Sequence, residues 1–172
     1  MSSPAPSELP PRAMMERVPQ PLQRVIGWLL HLYFRLSRGM TLGVRAAVLN
    51  ETGEVLLVRH TYTPGWHMPG GGVEPGETLS DALAKELGEE ANIALTSPAT
   101  LHGVFLNRHV SKRDHVAVFV VRAFTQSAPK QPDREIAEAR FFPLSALPEK
   151  TTPGTRRRLA EIIEGTARPA EW

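Results

Sequence analysis

Between Leu79 and Ala91 the chain carries an amphipathic helical pattern whose apolar stripe is broken by acids. At 3.6 residues per turn, with Leu79 at zero, Leu83 falls at roughly +40° and Leu87 at roughly +80°, while Glu90 lies at roughly +20°, Glu86 at roughly −20° and Glu89 at roughly −80°. Carboxylates are seldom buried unless paired or bound to metal, so this helix is a poor design for packing alone. Three acids spaced i, i+3 and i+4 instead suit a hard divalent cation, which prefers oxygen ligands. Thr78, with Asp81 three residues later, reads as the N-cap, and Asn92 as the residue that ends the helix.

A loop rich in glycine precedes the helix. Gly70, Gly71, Gly72 and Gly76 allow close approach of backbone to a ligand, and Pro69 and Pro75 limit the loop's wandering. Backbone groups of this kind suit phosphates. A diphosphate bridged by Mg²⁺ held on glutamates is the natural ligand, because Mg²⁺ takes few protein ligands and completes its shell with phosphate and water. Water activated by such a cation would be the nucleophile.

The rest of the chain predicts a mixed α/β domain of short elements from residue 40 to 172. The alternation of Leu42, Val44, Ala46 and Val48, a turn at 50–53, and the run 55–58 read as a hairpin. Residues 101–107 and 116–124 read as strands joined by a turn at 111–114, residues 139–142 as a further strand, and 156–164 as a last helix. Residues 1–20, where most of six prolines before Leu22 fall, read as disordered. Residues 21–39 form an amphipathic helical extension, whose apolar run is far short of the ~20 residues a membrane span needs. Its segment 22–36 predicts packing on the domain or a homodimer, with peripheral membrane contact as the less favoured reading.

Composition narrows the chemistry. With no cysteine, a disulfide scaffold, a thiolate nucleophile and Cys-ligated metal are excluded. Twenty basic against 18 acidic side chains give a net charge of +2, too small to announce DNA binding. A cytoplasmic setting is the expected one.

Gly71, five residues, Glu77, seven residues, then residues 85–93 (Lys-Glu-Leu-Gly-Glu-Glu-Ala-Asn-Ile) resemble the Nudix box. The lead-in at 66–70 and the stretch 138–143 resemble that family too. The resemblance implies an α/β/α sandwich with a mixed β-sheet, and Mg²⁺- or Mn²⁺-dependent hydrolysis of the diphosphate bond in a nucleoside diphosphate linked to another group. It implies that Glu86, Glu89 and Glu90 bind metal, joined by the Gly70 carbonyl and by a loop acid matched best by Glu135, with Glu138 behind it. Glu86 and Glu89 are the expected catalytic pair. Two positions depart from the pattern: Lys85 replaces an arginine that pairs with the glutamate matching Glu77 and pins the loop, and Asn92 replaces a glycine. Lysine keeps the charge but loses the bidentate fork.

Arg45, Arg59 and Trp66 are candidate substrate contacts, the last as a base-stacking ring or, equally, a loop anchor. His60, His67, His102, His109 and His115 show no metal-ligand spacing, and the run Arg156-Arg157-Arg158 reads as a solvated face. Two rivals stand beside the hydrolase: a nucleotide-binding module without turnover, and an isoprenoid diphosphate isomerase, which the lack of cysteine disfavours.

Overall fold

The computed structural model describes residues 20–37, 39–166 and 169–172. The chain divides after Gly39 into two units. In the first, α1 spans Gln20–Ser37, and Val25, Trp28, Leu29 and Tyr33 on it are exposed. These are the side chains on which the dimer and membrane expectations rest. Among the described residues no helix is long and apolar enough to cross a membrane. The disorder expected for residues 1–20 falls, Gln20 apart, outside the described residues.

In the second unit, alternation of side chains builds β1 (Thr41–Val48), β2 (Glu54–His60), β3 (Ile93–Leu95), β4 (Thr100–Leu106), β5 (Asp114–Val121), β6 (Phe124–Gln126) and β7 (Ile136–Pro143). α2 spans Leu79–Ala91, and α3 spans Pro153–Glu164 after a short 3₁₀ turn. β5 lies between β1, to which it is parallel, and β4, to which it is antiparallel. β2 pairs with β7, and β3 with β6, both antiparallel.

The expected first hairpin closes only at its turn, where Leu49 bridges Val55 and the Asn50 N–H donates to the Glu54 carbonyl at 3.0 Å. β1 and β2 do not pair along their length, because the two edges of β1 are taken by β5 and by the glycine-rich loop. Val44 and Ala46 donate to the carbonyls of Gly71 and Pro69, each at 2.9 Å. The same loop bridges to β2, where Val58 and His67 exchange N–H···O bonds at 2.9 Å. Loop 66–72 therefore lies across both paired sheets and fixes them to one another. The run 116–124 also divides in two, since β6 leaves β5 at residues 122–123 to pair with β3.

Both faces of the sheet are covered, which makes the sandwich. Val44, Ala46 and Val48 pack with Leu83 and Leu87 of α2 on one face. Ala47, Leu57, Val118 and Phe105 pack with Leu159 of α3 on the other. Leu87 is fully buried, and truncating such a leucine to alanine costs about 2–5 kcal/mol. α3 starts three residues earlier than the apolar pattern indicates, because Thr152 caps it and Pro153 fits the first turn.

Candidate active site

α2 begins with a full capping box: the Thr78 side chain accepts from the Asp81 N–H, and the Asp81 carboxylate accepts from the Thr78 N–H. It ends on Asn92 in the left-handed conformation, φ 56°. These two local signals set the phase in which the glutamates meet the loop. Glu90 is buried, Glu86 half-buried and Glu89 exposed.

Gly70 and Glu90 form the centre of the site. Gly70 has φ 138°, a backbone conformation that favours glycine, and its N–H donates to Glu90 Oε2 at 2.8 Å. A side chain there would also strike the backbone of Val44 and Arg45. At Gly71 the constraint is space: a Cβ would lie 2.6 Å from Glu86 Cδ and 2.7 Å from Oε2. The Glu86 carboxylate thus fills the room that a side chain at position 71 would need.

Burial pushes the Glu90 carboxyl up to about 7, against a smaller lowering by the Gly70 N–H and by Arg45. Burial likewise raises Glu86, with the charge of Glu89 adding to it. Glu135 is exposed, and its negative charge reaches Glu90. Glu138 is instead engaged by Arg59 at 3.2 Å and by Arg140 at 3.3 Å.

Glu77 accepts from Lys85 Nζ at 2.8 Å and from the Glu74 N–H at 2.9 Å, which ties the loop to α2. The hydrogen bond from Lys85 holds the Glu77 carboxyl below its usual range and raises the lysine.

Other candidates settle differently. Arg45 is half-buried and donates to the carbonyls of Met68 at 3.0 Å and Gly70 at 2.5 Å, so its guanidinium orders the loop from beneath. Arg59 is tied to Glu138. Trp66 is only 8% exposed and meets Phe142 edge-on at 4.8 Å, with Arg59 and Arg140 over its ring. It packs in the core with Phe142, an arrangement that suits the loop-anchor reading. In the run 156–158, Arg156 and Arg157 are exposed as the solvated-face reading has it, but Arg158 is fully buried and ion-paired to Glu161 at 2.6 Å.

His60 was hidden to spacing arguments. It is buried with Nε2 3.6 Å from Glu90 Oε1, and burial, then the charge of Arg45, lowers its pKa to about 4, so it stands neutral beside the glutamate. The alternation of β2, which puts His60 on the buried face with Val58, is the one signal that could have placed it.

The carboxylates of Glu86, Glu89 and Glu90 and the Gly70 carbonyl are hard oxygen donors. Glu86 packed into the space beside Gly71, and Glu90 buried with one N–H on it, are groups short of positive charge, which fits a divalent cation. Among the described residues no three His, Asp or Glu side chains enclose an ion as they stand. The fit is therefore one of donor chemistry. Beside the loop opens a cavity of about 870 Å³, bordered among others by Arg45, His67, Gly71, Gly72 and Asn107, a size that takes a nucleotide.

A two-faced mixed sandwich with a glutamate helix seated under a glycine-rich loop defines the Nudix class of fold and site. Residues 39–162 match the NUDIX domain, and the chain belongs to that family. It is 32% identical over 133 residues to the 8-oxo-dGDP phosphatase NUDT18 of Mus musculus, covering 76% of this chain and 40% of that one. It is 27% identical over 125 residues to a putative 8-oxo-dGTP diphosphatase of Bacillus subtilis, covering 73% and 81%. A MutT NUDIX hydrolase from Burkholderia pseudomallei superposes with TM-score 0.62 at 28% identity, over 72% of this chain and 98% of that one. The chain thus spans about two fifths of the mammalian relative it matches.

Proposed function

We propose that this chain hydrolyses a phosphoanhydride bond in a nucleotide, a nucleoside diphosphate carrying a further group, with Mg²⁺ or Mn²⁺ as cofactor. The observation that carries the reading is Glu90, buried and bound by the Gly70 N–H at 2.8 Å, with Glu86 packed against Gly71, which itself borders the large cavity. Glu86, Glu89 and Glu90 would hold the cation, with the Gly70 carbonyl and Glu135 as further donors. When bound, the cation supplies neutralising charge for the phosphates and lowers the proton affinity of the attacking water.

The chain's own residues do the rest. The loop, pinned by Glu77–Lys85 and by Arg45, holds backbone groups toward the diphosphate. Water adds to phosphorus, the bridging P–O bond breaks, the bridging oxygen leaves on the departing phosphate, and the water's proton passes to a carboxylate of the Glu86–Glu89 pair. The names of the mouse and Bacillus relatives favour purine nucleotides, oxidised ones included, as the first substrates to try.

The test is phosphate or nucleoside monophosphate release from a nucleotide panel with Mg²⁺ and with Mn²⁺, comparing wild type with Glu89→Gln and Glu90→Gln. Cation-dependent turnover lost in both variants is the expected result. Nucleotide bound without turnover on any compound would favour the binding module, a reading that Arg45 on the Gly70 carbonyl also suits.

A further inference from the structure

Part of the wall of the cavity beside the glycine-rich loop is formed by residues remote from the loop in sequence. Trp172 borders the same cavity of about 870 Å³ as Gly71 and Gly72, so one ligand can reach from the loop to Trp172. Residues 169–172 are tied in by several bonds. Leu106 N donates to the Ala170 carbonyl at 2.9 Å, and Trp172 N donates to the Leu106 carbonyl at 3.0 Å, extending the edge of β4. Arg108 grips Glu171 through Nε at 3.0 Å and Nη2 at 2.8 Å, and Arg157 donates to the Trp172 carbonyl at 2.5 Å.

The indole is fixed as well. It lies on Gly154, where a Cβ would come within 2.8 Å of Cε2, and Phe105 meets it edge-on at 6.4 Å. A rigid aromatic ring gives contact area at small cost in conformational entropy. The neighbouring wall is polar and also set: Asp114 accepts from Thr41 at 2.6 Å and from Asn107 at 2.8 Å. An apolar ring beside a fixed hydrogen-bonding edge suits a planar heterocycle, with the charged end of the same ligand at the loop.

We infer that Trp172 is a specificity-determining residue that packs against the nucleobase of the substrate while the glycine-rich loop takes its phosphates. This rests on the proposed hydrolase reading and adds to it the part of the substrate that residues 169–172 select. Residues 169–172 then act as a wall of the site rather than as an appendage.

The probes are α,β-methylene guanosine diphosphate and its base-free counterpart methylenediphosphonate, titrated calorimetrically with Mg²⁺ into wild type, Trp172→Ala and Trp172→Phe. Trp172→Ala weakens the guanosine probe by about tenfold, leaves methylenediphosphonate within about twofold, and Trp172→Phe recovers most of the loss. In turnover the same variant raises KM for nucleotides with kcat unchanged. Equal weakening of both probes, or guanosine binding unaffected by the substitution, overturns the inference. If Trp172→Ala does not fold by circular dichroism, Gly154→Ala, whose Cβ meets the indole first, gives the same selective loss or overturns it. Selective binding without hydrolysis by wild type would sink the proposed activity and leave this inference standing; hydrolysis indifferent to Trp172 would do the reverse.

Discussion

Gly70 donates its backbone N–H to Glu90 Oε2 at 2.8 Å, in a position where neither residue meets solvent freely. A carboxylate so placed is held by one donor and burdened by burial, and His60 beside it at 3.6 Å is neutral. The site is therefore sensitive to pH as long as no cation is supplied.

Burial raises Glu90 from 4.5 to about 7, so its contribution to stability is complete below about pH 4.5 and is lost as pH rises through 7. His60, lowered from 6.5 to about 4, acts in the opposite sense: its contribution is complete above 6.5 and lost as pH falls through 4. Of these two groups, only Glu90 still changes above 6.5. In chelator, wild type should lose about 1 kcal/mol, or ~3 °C in Tm, between about pH 6.5 and pH 8, and Glu90→Gln should not. Mg²⁺ or Mn²⁺ should restore the loss; parallel melting curves for the two proteins would refute the assignment.

Lys85 and Glu77 close the loop onto α2 at 2.8 Å. Lys85→Ala should lower kcat by roughly tenfold by loosening the loop, with little change in Tm because the pair is part-exposed. Lys85→Arg should match or exceed wild type, since the guanidinium restores a bidentate fork. Full activity in Lys85→Ala, measured on the same nucleotide, would show that the ion pair does not position the loop.

Gly71→Ala places a methyl 2.6 Å from Glu86 Cδ, and the carboxylate must swing away. Loss of activity on the order of a hundredfold is expected, with the fold retained by circular dichroism, because the backbone at this position is one that alanine adopts. An alanine variant that keeps wild-type rates would mean Glu86 works from another rotamer.

Arg158 is fully buried, pairs with Glu161 at 2.6 Å and lies 3.9 Å from the centre of the Phe105 ring, while Glu161 also meets His102 at 3.1 Å. Arg158→Ala leaves Glu161 short of a partner and should cost about 3 kcal/mol, a drop of ~10 °C in thermal unfolding. The double variant with Glu161→Ala should cost less than the sum of the two single changes. Strict additivity in that cycle would show that the two side chains do not act together.

What could be read from the chain alone was what neighbouring residues decide among themselves. The span of α2, its capping box at Thr78 and Asp81, its left-handed end at Asn92 and the phase of its glutamates all depend on contacts within a few residues, and the structure has each of them. The sandwich followed from the motif's resemblance and is there in two packed faces. Strand pairing was another matter. β1 takes as its parallel partner a strand more than seventy residues later, Thr41 opposite Asp114, and no local pattern distinguishes that from a hairpin with β2. The same holds for side chains whose role is set by surroundings. Trp66 went to the core, Arg158 was enclosed with an acid and two aromatic rings, His60 came to rest beside Glu90, and Trp172 reached the cavity because β4 offered its edge to residues 169–172. A helix and its caps are decided by bonds over three or four residues, whereas the environment of a lone aromatic or charged side chain is decided by segments that only folding brings to it.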